Sequence, residues 1–226
     1  TGSEAYPRPT GKAAKRKLHQ VYGAYFDSLQ FERLETGLKS LADQNEDARV
    51  ICSRILEAHA STEERLPILA DFYRSLFLEI GQPREILDLC CGMNPFSLPW
   101  MGLEKKVLYR AWDIDSRLMN QLNEFFEIME QNSETVCRDV LGKHRKLEAD
   151  VVFIFKSIPC LEQQLKGAGK AILAQIQANH MVLSFPTLSL GGKEKGMHRH
   201  YANYVNRLAG DLAYRVRTME YPGETF

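Results

Sequence analysis

The chain has no Cys-x-x-Cys pair, no Gly-x-Gly-x-x-Gly fingerprint, no long apolar run and no net charge. Each absence excludes something. No stretch approaches the roughly 18 uninterrupted apolar residues that cross a bilayer, and the N-terminus lacks the apolar centre of a secretory signal. The cysteines (Cys52, Cys90, Cys91, Cys137 and Cys160) are odd in number and unpaired in spacing, which fits neither a zinc site nor a disulfide framework. A reduced, cytoplasmic protein with buried thiols is the expectation. Twenty-nine basic residues balance twenty-nine acidic ones, so no overall field draws the chain to nucleic acid. What is present is core material: 44% of the 226 residues are hydrophobic and 10% aromatic, with 26% charged to keep the surface soluble. That is enough for one large domain or two small ones. Because the chain begins at Thr1 rather than Met, some N-terminal sequence is expected to precede it.

The charge is unevenly placed. Within residues 1–20, Arg8, Lys12, Lys15, Arg16 and Lys17 face a lone Glu4, with His19 beside them. A second basic stretch holds Lys193, Lys195, Arg199 and Arg207, with His198 and His200 between. Each cluster reads either as a solvated face or as an RNA contact.

Helical patterns occupy residues 12–26, 31–42 and 48–58, with a polar break at 43–47. Leu66, Leu69, Phe72, Tyr73, Leu76, Phe77 and Ile80 then recur at spacings of three and four, which predicts an amphipathic helix. Ser61 with Glu64 has capping-box spacing for its start, and Gly81 with Pro83 stops it. From residue 85 the period changes. Short apolar runs at 86–89, 107–112, 151–155 and 181–185 alternate with helical stretches at 116–131 and 161–178. Apolar strands alternating with helices predict an α/β fold with a parallel sheet covered on both faces.

Ligands of such sheets sit beyond the carboxyl ends of the strands. Those ends read Asp88 with Gly92 in the following turn, then Asp113 and Asp115, then Asp139, then Lys156. An acid closing the first strand, a glycine that permits close backbone approach, and a second acid at the next strand end suggest a nucleoside pocket. Pyrophosphate would need the missing glycine fingerprint. Asn94 stands instead where a helix cap belongs, with Pro95 at the first helical position. A cofactor without phosphates fits, S-adenosylmethionine being the natural one. A generic α/β domain whose strand ends are acidic remains the alternative on spacing alone.

Taken together, the motifs are more specific. His59-Ala60-Ser61-Thr62-x-Glu64-Arg65, Asp88-x-x-Cys91-Gly92-x-Asn94-Pro95, Phe155-Lys156, Ser184-Phe185-Pro186-Thr187 and Ser189-Leu190-Gly191-Gly192-Lys193-x-Lys195-Gly196-Met197 occur in this order. The set resembles the aminoglycoside-resistance 16S ribosomal RNA methyltransferases of the Arm and Rmt type, which modify guanine N7 in the decoding site. Residues 18–25 also look like that family's N-terminal part.

The resemblance implies a class I (Rossmann-like) methyltransferase domain over 81–226 behind a helical N-terminal subdomain over 1–80. It implies S-adenosylmethionine as cofactor, 16S rRNA in the small ribosomal subunit as partner, monomeric action in the cytoplasm, and no metal. It further implies additional helical sequence before the matched region and a last strand continuing after it. Carried over residue by residue, His59, Ser61, Thr62 and Arg65 wall the methionine end of the cofactor, with Arg65 pairing its carboxylate. Gly92 gives backbone access, Asp113 holds the ribose, Asp139 takes the adenine amino group, and Asp88 fixes the loop. Lys156 orients the target base or approaches a phosphate, unless it is a structural salt bridge. Lys12, Lys15, Arg16, Lys17, His19, Lys193 and Lys195 are the implied RNA contacts. Guanine N7 carries a lone pair and no proton at neutral pH, so the reaction needs no general base. Two rivals stand beside this reading. Pro159-Cys160 is the pair expected of an RNA cytosine-C5 methyltransferase, although the resembled family has an aliphatic residue at that place. A non-catalytic ribosome-binding module with a vestigial fold is the other.

Overall fold

The computed structural model describes residues 28–142, 147–186, 197–212 and 214–226. The expected helix over 12–26 lies outside them. Helix α1 (Ser28–Ala42) and α2 (Ala48–Leu56) follow the expected pattern. Asp47 starts α2 by accepting the Arg49 N–H at 2.7 Å. Next come a single turn, α3 (Ala60–Glu63), a 3-10 turn at Leu66–Ile68, and α4 (Leu69–Ile80). The capping-box expectation is corrected here. Helix α3 has His59 at its cap position without a side-chain cap bond, and α4 starts from Ile68. Ser61 and Glu64 are drawn instead to His59 and Lys156.

Strands β1 (Glu85–Leu89), β2 (Leu108–Asp113), β3 (Ser133–Cys137), β4 (Leu147–Phe155) and β5 (Ile176–Pro186) run parallel. A short antiparallel hairpin, β6 (Glu220–Tyr221) and β7 (Glu224–Thr225), completes a seven-stranded sheet of order β3-β2-β1-β4-β5-β7-β6. Helix α5 (Leu98–Met101) follows β1, α6 (Ser116–Ile128) follows β2, α7 (Ile158–Gln164) and α8 (Ala168–Leu173) follow β4, and α9 (Met197–Leu212) follows β5.

The apolar strands are explained by burial on both faces. Ile86, Tyr109 and Phe153 join Leu34, Leu38, Ile55 and Phe72 in one core, so α1, α2 and α4 share a core with the sheet. Leu87, Leu89, Val152 and Ile154 point the other way, toward Ile158, Ile172 and Leu208 of α7, α8 and α9. Alternation along each strand, with both sides buried, is the period-2 pattern of a doubly covered sheet.

Three elements differ from expectation. The single helix over 161–178 is two, broken at Gly167, whose φ of +84° favours glycine. Glu162 fastens that break by accepting the N–H groups of Gly167 and Gly169. Strand β5 consequently begins at Ile176, in register with Leu147. Strand β3 lacks an apolar run because it lies at the sheet edge and none of its residues is fully buried. Helix α9, read from the sequence only as a basic stretch, packs Tyr201, Tyr204, Val205, Leu208 and Leu212 on the sheet. The thiols also divide differently: Cys52 and Cys91 are buried, Cys90 and Cys160 half-buried, and Cys137 exposed.

Candidate functional site

The order of strands reverses between β1 and β4, so a crevice opens at their carboxyl ends, where α/β sheets hold ligands. The turn after β1 lines it. Cys90 and Gly92 both have positive φ, +53° and +49°. Gly92 suits that geometry, and a Cβ added there would meet no atom within 4 Å, so its backbone borders open space. Its N–H donates to Asp113 Oδ2 at 3.0 Å, which brings the turn and the end of β2 together.

Asp113 also accepts the N–H groups of Ile114 (2.7 Å) and Asp115 (3.2 Å) through Oδ1. Burial raises its pKa, and these backbone donors oppose the rise. Asp139, after β3, is exposed and accepts the Leu141 N–H at 2.8 Å. Asp115, named with Asp113 at the end of the second strand, caps α6 by accepting from Arg117 and Leu118.

Behind the turn lies a buried polar cluster. Asp88 Oδ2 accepts from Tyr109 Oη (2.7 Å) and Asn94 Nδ2 (2.9 Å), while its Oδ1 meets no donor among the described residues. Burial pushes the Asp88 carboxyl up to about 7 against those hydrogen bonds and the Arg65 charge. Asn94 does not cap a helix; Pro95 does enter the first turn of the 3-10 segment Asn94–Ser97. The Asn94 carboxamide faces inward, accepting from Tyr73 Oη (2.9 Å) and Arg65 Nη1 (3.0 Å).

The guanidinium of Arg65, the residue expected to pair a ligand carboxylate, meets Glu224 through Nε (3.0 Å) and Nη2 (2.5 Å), in a pair that is 3% and 1% exposed. It also lies 4.6 Å from the ring centre of Phe155. A buried cation without a fixed anion would be prohibitively costly, so the fold supplies one. Lys156 is likewise engaged: Nζ reaches Glu64 (2.7 Å), Ser61 O (3.2 Å) and Glu224 (3.3 Å), which makes it a structural salt bridge here. His59 accepts or shares a proton with Ser61 Oγ at 2.9 Å. Burial first, then the Lys156 and Arg65 charges, lowers its pKa to about 4, so the ring is neutral at pH 7. Thr62 Oγ1 donates to the carbonyls of Leu56 (2.6 Å) and His59 (2.9 Å), satisfying the end of α2.

The crevice therefore offers carboxylate acceptors and a close-approach backbone, with little to hold phosphate. The turn's N–H groups at Cys91, Gly92, Asn94 and Phe96 are already bonded to Trp112 O, Asp113, Cys91 O and Met93 O. A phosphate would also face Asp113 and Asp139. A nucleoside with hydroxyl and amino donors and no phosphate fits these residues. An apolar cavity of about 500 Å³ lies elsewhere, between β5, α9 and residues 214–219, and includes none of Asp88, Gly92, Asp113, Asp139 and Lys156. No three His, Cys, Asp or Glu side chains among the described residues are grouped to hold a metal. Cys160 sits in the first turn of α7, half-buried, with Sγ 4.0 Å from Lys156 O. Burial pushes the Cys52 thiol up to about 12. Lys12, Lys15, Arg16, Lys17, His19, Lys193 and Lys195 lie outside the described residues, so the structure neither gathers nor separates them.

Glu224 is the functional candidate that the sequence did not disclose. Its partner Arg65 is 159 residues away, and the only local sign is an acid following Pro222-Gly223 in a turn.

Comparison with known proteins adds to this geometry. The family described as "Ribosomal RNA methyltransferase (FmrO)" matches residues 2–225. A Micromonospora echinospora protein named 16S rRNA (guanine(1405)-N(7))-methyltransferase is 35% identical over 217 residues, covering 94% of this chain and 79% of its own. A Proteus mirabilis protein of the same name is 29% identical over 220 residues, covering 90% and 78%. Among solved structures, the 16S rRNA methyltransferase RmtF in complex with S-adenosyl-L-homocysteine superposes with a TM-score of 0.80 at 29% identity, covering 95% of this chain and 80% of that one. The 16S rRNA methylase RmtB gives 0.75 at 27% identity, covering 95% and 79%.

Proposed function

This chain belongs to the ribosomal RNA methyltransferase (FmrO) family, and on that premise we propose that it methylates N7 of a guanine in the decoding-site helix of 16S rRNA, using S-adenosylmethionine and conferring aminoglycoside resistance. The observation that carries the reading is a phosphate-excluding nucleoside crevice in a chain 35% identical over 94% of its length to a guanine-N7 methyltransferase.

When bound, S-adenosylmethionine supplies a methyl carbon made electrophilic by its sulfonium. The chain's own residues have positioning work to do. Asp113 accepts from the ribose hydroxyls, Asp139 from the adenine amino group, and Gly92 lets the backbone come close. Arg65, paired to Glu224, and Lys156, paired to Glu64 and Glu224, are the cations beside His59, Ser61 and Thr62, where the methionine carboxylate would bind. Guanine N7 already presents its lone pair, so no side chain has to remove a proton, and the neutral His59 is not needed as a base. Orientation then dominates the rate enhancement. In A-form RNA, N7 lies in a groove too deep and narrow for side chains, so the target must leave its helix at a cost of a few kcal/mol. Basic residues that grip the RNA backbone offset that cost: Lys12, Lys15, Arg16, Lys17 and His19 from the segment before residue 81, and Lys193 and Lys195 from the part that carries the transfer. The partner is the assembled small subunit, met by a monomer in the cytoplasm.

The direct test incubates the protein with methyl-labelled cofactor and small subunits, then probes the rRNA by reduction and aniline scission. A break at a decoding-helix guanine is the expected result; labelled rRNA without that break removes the N7 assignment, and no labelling removes the activity. Asp113→Ala is expected to weaken S-adenosylhomocysteine binding by about 1.5–3 kcal/mol, the usual worth of hydrogen bonds to a charged group. Calorimetry measures it, and an unchanged affinity takes Asp113 out of the pocket. For Lys15→Glu with Arg16→Glu, subunit affinity should drop and its log–log salt slope flatten by about 1.5, as for two lost phosphate contacts. Cofactor affinity should stay as it was, and an unaltered slope would make that cluster a bystander.

A further inference from the structure

From the arrangement behind the crevice we infer that Glu224 is a positioning residue for cofactor binding, the common anchor of the two strand-end turns that shape the pocket. The inference rests on the methyltransferase reading and adds a residue to it.

The two non-glycine residues that follow β1 and β4 on either side of the switch point are both left-handed, Cys90 at φ +53° and Lys156 at φ +52°. Such conformations are strained for residues with a side chain and persist only where the surroundings over-determine them. Both are tied to one buried carboxylate. Lys156 meets Glu224 directly at 3.3 Å. Cys90 is reached through a continuous polar chain. Glu224 takes both Nε and Nη2 of Arg65; Arg65 Nη1 donates to Asn94 Oδ1; Asn94 Nδ2 donates to Asp88 Oδ2, at the end of the strand that Cys90 follows. Tyr73 and Tyr109 close the same chain from α4 and β2.

Arg65 and Lys156 are donors without acceptor capacity, so Glu224 must be the acceptor between them. Its orientation fixes which way the Asn94 carboxamide points, and that fixes the turn carrying Gly92. Glu224 itself is held by the hairpin: its backbone pairs with Pro186 of β5 and Tyr221 of β6. The far end of the sheet thereby sets the geometry of the near side of the pocket. A well-packed apolar pair could supply as much stability as a buried ion pair, so its value here is directional.

The test is a KM-against-kcat split in E224Q, which keeps size and removes the charge that accepts from both cations. Calorimetry with S-adenosylhomocysteine on the folded variant should show at least a tenfold rise in Kd with stoichiometry unchanged. KM for S-adenosylmethionine should rise in parallel, while kcat at saturating cofactor stays within about threefold of wild type. A lowered Tm with an unchanged Kd would make Glu224 merely structural and overturn the inference. Should E224Q fail to fold, E224D retains the charge one methylene shorter, and an intermediate rise in Kd is expected; none would count against the inference. Combining E224D with N94S gives a second readout. If both act through one chain, the double variant binds about as weakly as the weaker single one, whereas multiplying losses overturn the coupling. Wild-type protein that does not bind S-adenosylhomocysteine would defeat the functional reading itself, an outcome separate from any behaviour of the variants.

Discussion

Arg65→Ala is expected to cost about 3–5 kcal/mol of folding stability, the range for leaving one partner of a buried ion pair uncompensated. Arg65 is 2% exposed, and its guanidinium is held by Glu224 and Asn94. It lies between the rings of Phe155 and Phe226, at 4.6 Å and 5.6 Å from their centres. Removing it leaves the Glu224 carboxylate 1% exposed with Lys156 at 3.3 Å, a longer contact than either bond it loses. Tyr73 would still donate to Asn94, so the cluster is not emptied, but its central charge is gone. Urea unfolding of wild type and variant at the same pH measures the loss. A penalty below about 1 kcal/mol, the range of exposed ion pairs, would show that the pair is solvated in solution.

The second large effect is a pH dependence carried by Asp88. Burial holds this carboxyl near 7 in the folded state, against 3.8 as the ordinary value. Between those values the native state binds a proton that the unfolded chain has released. Stability from this group is therefore full below 3.8 and is lost as pH rises through 7. The whole window corresponds to roughly 4 kcal/mol at about 1.36 kcal/mol per unit. His59 acts in the opposite sense. Its pKa falls from 6.5 to about 4, so its contribution is present above 6.5 and lost as pH falls through 4. Comparing wild type with Asp88→Asn separates the two, because the amide oxygen still accepts from Asn94 and Tyr109 but does not titrate. From pH 5 to pH 8, denaturant unfolding should show the variant gaining roughly 3 kcal/mol relative to wild type, the share of the window that lies above pH 5. Parallel profiles would mean that Asp88 is ionised throughout.

The buried cluster and the strand ends differ in how far they could be read from the residues. The apolar runs at 86–89 and 151–155 are local signals of strands covered on both faces, and both became strands. β3 escaped because an edge strand with one solvated side needs no such run. The break at Gly167 escaped because a glycine inside a helical pattern is tolerated as often as it ends one, and here Glu162 decides the matter by binding the two N–H groups beyond it. Asp115 was legible as a strand-end acid, although its place directly before Ser116 is also that of an N-cap.

What the sequence by itself determined is the alternation of elements and the acids at the strand ends, Asp88, Asp113 and Asp139, with the Gly92 turn between them. These follow from short-range rules: side-chain periodicity, the steric freedom of glycine, and the place of strand ends in a parallel sheet. Only the tertiary structure decided what the charges touch. Arg65 could have faced a ligand and faces Glu224; Lys156 could have faced a target base and faces Glu64, Ser61 and Glu224. The physical reason is that a charge is satisfied by whichever opposite charge the fold brings within about 3 Å, and here that partner comes from the other end of the chain.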